Sequence, residues 1–337
     1  MNAGPEDIAL AIALLQRGLP IAFPTETVYG LGADALDADA VSRVFELKGR
    51  PSTNPLIVHV SGIEMARTVA ADWPEDADSL ARALWPGPLT LVLPRADAVP
   101  GIVTAGGDTV AVRCPEHPLT LALLEAFGRP LVGPSANRSG GVSPTTAEHV
   151  RADFGDTLFI LDGGPCTRGL ESTVLSLVDE PPRILRRGVI TPEELHPVLG
   201  RAAEVGDAHP ADTARPARSP GLIGPHYRPR SPLHVLTRRE LERCVESGRR
   251  DEPAALLITT ADLEELHLPP HWSTLIMPED AVGYAARLYA AMREADAPGT
   301  SRILVVLPPG PDPAERGVWD AVRERLSRAS SPLDAPL

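Results

Sequence analysis

Lys48-Gly49-Arg50-Pro51-Ser52-Thr53-Asn54-Pro55-Leu56-Ile57-Val58-His59-Val60 sets a lysine and an arginine around a glycine, turns at two prolines and launches a short apolar strand with one histidine. Asp39 to Leu47 before it carries helical spacing, so the stretch reads as helix end, loop, strand. Of the chain's 32 basic residues, Lys48 is the single lysine. An ammonium is a compact point charge with three donors and a guanidinium is a flat fork, so a site shaped for one serves the other poorly. A charge at a helix C-terminus is also favoured by the helix dipole, which gives Lys48 and Arg50 a purely local explanation. Alternation along the strand puts Ile57 and His59 on one face and Leu56, Val58 and Val60 on the other. A histidine there is either a hydrogen-bonded core residue or a functional group.

Outward from this stretch, elements alternate. Pro5 to Arg17 has apolar positions at helical spacing and Gly18 as C-cap. Leu19 to Phe23 reads as a buried strand running into a polar loop, Pro24 to Gly32, at the strand end where α/β proteins present binding groups. A turn with hydroxyls satisfying local backbone explains that loop equally well. Ile63 to Leu84 is a helical region, Leu89 to Pro94 a strand, and Thr109 to Pro115 a strand with Arg113 near its end. An arginine leaving an apolar strand needs an anionic partner, from inside the protein or from a ligand. Pro130 to Thr146 runs from a strand through a Ser-, Gly- and Asn-rich loop to a helix, with Thr145-x-x-Glu148 spaced as a capping box. Small residues and a helix N-terminus suit an anion, but neither G-x-x-x-x-G-K-[ST] nor a G-x-G-x-x-G after a strand occurs. Gly169 to Leu177 and Arg183 to Gly188 close this half as strands, the latter with clustered charge.

Residues 201–231 hold Pro210, Pro216, Pro220, Pro225 and Pro229 and read as a semi-rigid linker, with an apolar and aromatic centre at Ser219 to Tyr227. Beyond it, strands Leu233 to Leu236, Ala254 to Thr259, Thr274 to Met277 and Arg302 to Leu307 alternate with helices Arg238 to Val245, Ala261 to Leu266, Val282 to Glu294 and Arg316 to Arg328. Thr237-x-x-Glu240 caps the first of these. That alternation predicts a small Rossmann-like parallel α/β domain over 232–337, accessory to a catalytic domain over 1–200.

Composition narrows function. A net charge of -13 disfavours nonspecific nucleic-acid binding, DNA included, as the main activity. Cys114, Cys166 and Cys244 have no C-x-x-C spacing, which argues against structural zinc and a disulfide framework. No long uncharged apolar run and no signal-like N-terminus are present, so we expect a cytoplasmic protein with no membrane association.

Pro24 to Gly32, Lys48 to Val60, Leu84 to Leu91, Ala111 to Pro118, Ser135-Ala136-Asn137, Glu171-Ser172-Thr173 and Leu185-Arg186-Arg187-Gly188 together, in this order, resemble the YrdC-domain family. The resemblance is to the longer, two-domain form of its threonylcarbamoyl-AMP synthases and covers nearly the whole chain. It implies a twisted mixed sheet with helices around an open concave site. It also implies synthesis of L-threonylcarbamoyladenylate and pyrophosphate from L-threonine, bicarbonate and ATP. Magnesium would arrive with ATP rather than on protein side chains, and a partner complex would pass the threonylcarbamoyl group to tRNA adenosine. Carried over by position, Thr27, His59, Arg113 and Ser172 would hold threonine. Lys48, Arg50, Asn54, Thr109, Ser135, Asn137, Ser143, Arg186 and Tyr227 would face ATP, with Lys48 and Arg50 carrying the chemistry. Ser219, Pro220, Gly221, His226 and Tyr227 would form a lid. Two departures stand out: Gly133-Pro134 where the family often reads Ser-Thr, and Ile223-Gly224-Pro225 in place of a basic, aromatic linker centre. Alternative readings are a carbamoyl-adenylate-forming carbamoyltransferase, whose usual extra modules are lacking, and an RNA-binding or ribosome-assembly factor, which the charge disfavours.

Overall fold

α1 (Pro5–Gln16) begins with proline at its first helical position, where the missing N–H is no loss, and Gly4 N–H donates to Asp7 Oδ2 at 2.8 Å. It buries Ala11 and Leu15 against the core. The computed structural model describes residues 3–206, 226–246, 252–264, 266–308 and 315–331. These fall into two compact units. The first comprises Met1–Ser139, Ser143–Thr167 and Glu171–Gly224, and the second Gly140–Val142, Arg168–Leu170 and Pro225–Leu337. Ser219, Pro220 and Gly221, and the Ile223-Gly224-Pro225 departure, lie outside the described residues.

After α1 the first unit runs β1 (Ile21–Phe23), β2 (Gly30–Asp34), α2 (Ala38–Lys48), β3 (Ile57–His59), α3 (Ile63–Val69), α4 (Glu75–Leu84), β4 (Leu89–Pro94) and β5 (Thr109–Arg113). It continues with α5 (Pro118–Phe127), β6 (Leu131–Val132), α6 (Ala147–Phe154), β7 (Phe159–Ile160), β8 (Thr173–Ser176), β9 (Arg183–Arg186), α7 (Pro192–Leu199) and β10 (Glu204–Val205). The strands form one mixed sheet in the order β10-β9-β8-β4-β5-β3-β6-β2-β1-β7. β3 lies parallel to β5, pairing His59 with Arg113, and antiparallel to β6, so its three residues are buried in mid-sheet. As the alternation predicts, Leu56, Val58 and Val60 join the large core under the helices, while Ile57 packs on the other face with Val92, Ala111 and Val174.

α2 starts where the Asp37 carboxylate accepts from the Asp39 and Ala40 N–H groups and ends at Gly49, whose φ of 63° is left-handed. Lys48 is its last residue and is buried. Several expectations change. The polar loop from Pro24 is shorter than expected, because Gly30 to Asp34 pairs with β1 and β6 as a strand. Glycine there masks strand propensity, and the Phe23 ring occupies the space that side chains at Gly30 and Gly32 would take. The helical region Ile63 to Leu84 breaks into α3 and α4, with Pro74 as N-cap of the second. The cap of α6 is Thr146, whose side chain accepts from His149 N–H, and not Thr145, whose Oγ1 lies 3.3 Å from His149 Nδ1. β7, α7 and β10 carry too short or too mixed a pattern to be read from sequence. α7 has a full capping box between Thr191 and Glu194.

The second unit contains β11 (Leu233–Leu236), α8 (Arg238–Glu246), β12 (Ala254–Thr259), α9 (Thr260–Leu263), β13 (Ser273–Met277), α10 (Ala281–Ala295), β14 (Arg302–Val306) and α11 (Arg316–Ala329). Every strand pair is parallel, in the order β11-β14-β12-β13. The Thr237 box forms as read: Thr237 N–H donates to Glu240 Oε2 at 2.7 Å and Glu240 N–H donates to Thr237 Oγ1 at 3.3 Å. Arg228 N–H donates to Gly140 O at 2.9 Å, joining the short Gly140 segment to this unit.

Candidate active site

Four stretches of the first unit converge on the strand ends around His59 and Arg113. Backbone bonds fix them: Leu31 N–H donates to Pro134 O, Ala136 N–H to Tyr29 O, and Tyr29 N–H to Pro144 O, which draws the loops after β1 and β6 and the segment before α6 together. Gly87 N–H donates to Cys114 O and Thr173 N–H to Pro88 O, bringing the turn before β4 against the ends of β5 and the start of β8.

Lys48 is 3% exposed, and its Nζ donates to the Ser135 and Asn137 carbonyls, the latter at 2.6 Å. Its ammonium therefore holds the loop after β6 by two of its carbonyls. Burial, with Arg50 adding repulsion, pulls the Lys48 pKa well below the ordinary lysine value, and Asp153 offsets part of that. An arriving polyanion would reverse this burden, because opposite charge favours the ammonium. Arg50 Nη2 donates to Pro55 O at 3.2 Å across its own turn. On the loop, Ser135 Oγ donates to Asn137 Oδ1 at 2.6 Å and Asn137 Nδ2 donates to Arg138 O at 2.8 Å.

Arg113 and Glu26 form the deepest charge pair, with Nη2 and Oε2 2.7 Å apart and side chains 4% and 2% exposed. Arg113 Nε also donates to Gly87 O at 3.2 Å. Both Glu26 oxygens are buried with no aligned hydrogen bond, which leaves acceptor capacity inside the site. The internal partner of Arg113 is thus Glu26, a residue sequence reasoning passed over. Its signal was a lone acid in a Thr-Glu-Thr run directly after a buried strand. Thr27 is fully buried, its Oγ1 2.8 Å from Thr25 Oγ1. His59 is 2% exposed, and burial, then the Arg113 charge, hold its pKa well below the usual histidine value, with Ile57 backbone pulling the other way. Ser172 Oγ lies 2.7 Å from Thr90 Oγ1, and Arg186 donates to Ser172 O from Nε and Nη2 at 3.1 and 3.0 Å. Ser143 Oγ donates to Glu171 Oε1 at 2.7 Å.

The structure thus gathers Thr27, Lys48, His59, Arg113, Ser135, Asn137, Ser143, Ser172 and Arg186 through these contacts. Asn54 and Thr109 stand apart: they precede β3 and open β5, at the opposite strand ends from His59 and Arg113. Asn54 is buried and its Oδ1 has no hydrogen-bond partner. Tyr227 belongs to the second unit, where its ring stacks on Tyr289 at 5.5 Å, faces Arg325 at 5.4 Å and touches His226 at 5.3 Å. Among the described residues no group of three or more His, Cys, Asp or Glu side chains is placed to hold a metal ion, and no helix is long and apolar enough to cross a membrane.

A mixed sheet with helices, whose first unit buries cations, hydroxyls and a charge pair, places this chain in the α/β class. Residues 13–188 match the Sua5/YciO/YrdC family model, described as telomere recombination, and residues 190–331 match the model for the C-terminal domain of threonylcarbamoyl-AMP synthase. The chain is 40% identical to the threonylcarbamoyl-AMP synthase of Pyrococcus abyssi, covering 96% of this chain and 94% of that protein. It is 39% identical to the enzyme of the same name from Bacillus subtilis, covering 98% and 94%. The crystal structure of P. abyssi Sua5 complexed with L-threonine superposes with a TM-score of 0.86 at 39% identity, covering 96% of this chain and 94% of that one. This chain belongs to the Sua5/YciO/YrdC family, in the form that carries the C-terminal domain.

Proposed function

We propose that this protein is an L-threonylcarbamoyladenylate synthase, joining L-threonine, bicarbonate and ATP with release of pyrophosphate. The observation that carries the proposal is the set of buried cations and polar groups of the first unit: Arg113 in register with His59, Arg186 on Ser172, and Lys48 on the Ser135 and Asn137 carbonyls. The threonine amine attacks the bicarbonate carbon, giving a carbamate and water. A carbamate oxygen then attacks the α-phosphorus, and pyrophosphate leaves. Neither step needs a protein nucleophile; both need positioning and neutralised charge.

Arg113, fixed by Glu26 and Gly87 O, offers a planar fork for the threonine carboxylate. Thr27, His59 and Ser172 line the same strand ends and orient the amino acid. Lys48 and Arg50, with Ser135, Asn137, Ser143 and Arg186, face the nucleotide, the cations stabilising charge that shifts to pyrophosphate. Asn54, Thr109 and Tyr227 are assigned to ATP by position in the family pattern alone. Magnesium is assigned to the triphosphate by the family pattern alone; bound there, it would neutralise phosphate charge. The product acyl-adenylate suits transfer to tRNA by a partner complex, and a cytoplasmic location fits that role.

Incubation with ATP, bicarbonate and L-threonine, with pyrophosphate as readout, tests this. Release that depends on threonine and bicarbonate is expected. Release without threonine would sink this reading, and tight RNA binding without turnover would favour an RNA-binding factor.

A further inference from the structure

Phe23, at the end of β1, sits over three glycines. A Cβ at Gly30 would lie 2.6 Å from Phe23 Cζ, one at Gly32 2.8 Å from its Cδ1, and one at Gly133 2.8 Å from its Cζ. None of these glycines has a positive φ, so backbone conformation does not require them. Their role is to leave room. Gly133 does this twice, because a Cβ there would also lie 2.5 Å from His59 Nδ1 and 2.6 Å from its Cε1. The Phe23 ring meets the His59 ring edge-on, with centroids 5.4 Å apart and planes at 78°. His59 Nδ1 is buried and has no hydrogen-bond partner, so packing has a large share in setting the ring.

We infer that Gly133, with Phe23, is a positioning residue for His59: the missing side chain at 133 admits the imidazole, and the Phe23 edge sets its tilt toward the amino-acid substrate. This rests on the assignment of His59 to threonine made above. It also gives the Gly133-Pro134 departure a physical meaning. Both rings are buried in a close-packed interior, so a methyl group at 133 must move at least one of them.

The test is steady-state kinetics of Gly133→Ala alone and in a His59→Ala background, with the His59 ring followed by NMR. Gly133→Ala is expected to shift the His59 ring resonances and raise the threonine KM by roughly ten- to hundred-fold, with the ATP KM changed less than about two-fold. In the His59→Ala background the same change should add less than about two-fold, because the displaced group is gone. Unmoved ring resonances with a wild-type threonine KM would overturn the inference. Equal rises in both KM values, additive with His59→Ala, would do the same by marking a general packing defect. Should Gly133→Ala not fold, Phe23→Leu keeps the apolar contact and removes the ring edge. It should shift the His59 resonances and raise the threonine KM by a smaller factor, and wild-type values for both would reject the inference. If His59→Ala leaves the threonine KM unchanged while Gly133→Ala moves the ring, the assignment of His59 to threonine fails and its positioning by Gly133 stands.

Discussion

The two units are both α/β, but they treat buried polarity in opposite ways. The first unit buries Glu26, Asp34, Lys48, Arg50, His59, Arg113, Glu171 and Arg186 with a row of hydroxyls, whereas the second, among its described residues, buries Thr259, Asp262, Arg302 and Arg325 in a largely apolar interior. Its buried arginines face rings, Arg302 over Trp272 and Arg325 over Tyr227. The first unit's charges stand instead against carbonyls and one another: Lys48 at the end of α2 holds the Ser135 and Asn137 carbonyls, Arg113 pairs with Glu26, and Arg186 holds the Ser172 carbonyl. Buried charge is costly without partners, and the proposed function accounts for its concentration in the first unit by giving it a charged ligand. Where charge is folded against aromatic faces, its role is packing.

The sharpest break of this comparison is Arg113→Ala, which leaves the Glu26 carboxylate buried and unpaired. It should destabilise the protein by about 3–5 kcal/mol in urea unfolding, and adding Glu26→Gln should recover much of that without recovering threonine-dependent turnover. Unchanged stability of the single variant would mean the pair is solvated. Lys48→Arg comes next: the space between the Ser135 and Asn137 carbonyls is shaped to an ammonium, so we expect a loss of roughly a hundred-fold in pyrophosphate release, about 2.7 kcal/mol in barrier, exceeding any loss of stability. Wild-type turnover by this variant would remove the case for a lysine-specific site.

A third, smaller effect is pH-linked. The folded-state pKa of His59 lies below its unfolded value near 6.5, so as pH falls below that value the unfolded chain takes up a proton that the fold refuses. The His59 contribution is intact above pH 6.5 and declines as pH falls toward the depressed folded pKa. Unfolding of wild type and His59→Gln at pH 7.5 and 5.5, roughly one unit either side of the free value, should show a steeper wild-type loss; parallel losses would refute it. Smallest is Thr237→Ala in the second unit. Losing its capping box should cost about 1 kcal/mol of stability while leaving the threonine KM unchanged, and a KM shift would contradict the division of roles.

Local pattern made much of this molecule legible. The second unit's strands and long helices were readable because parallel strands are continuous apolar runs and its helices carry a 3.6-residue period. Lys48 stood out through composition alone, and the apolar alternation around His59 assigned its faces. The Pro24 loop hid a strand because Gly30 and Gly32 lack side chains to show a period, and the Thr145 cap was displaced by one residue because neighbouring threonines offer the helix two similar starts.

What the sequence determined by itself is therefore what depends on neighbours along the chain: helix ends, strand faces, the composition that singles out one lysine, and motif order. What only the tertiary structure decided is which distant groups meet. That Glu26 answers Arg113, that Lys48 grips the carbonyls of Ser135 and Asn137, and that Gly133 makes room for His59 are contacts between residues tens of positions apart. Burial gives those contacts their energies, and it exists only once the sheet has closed over them.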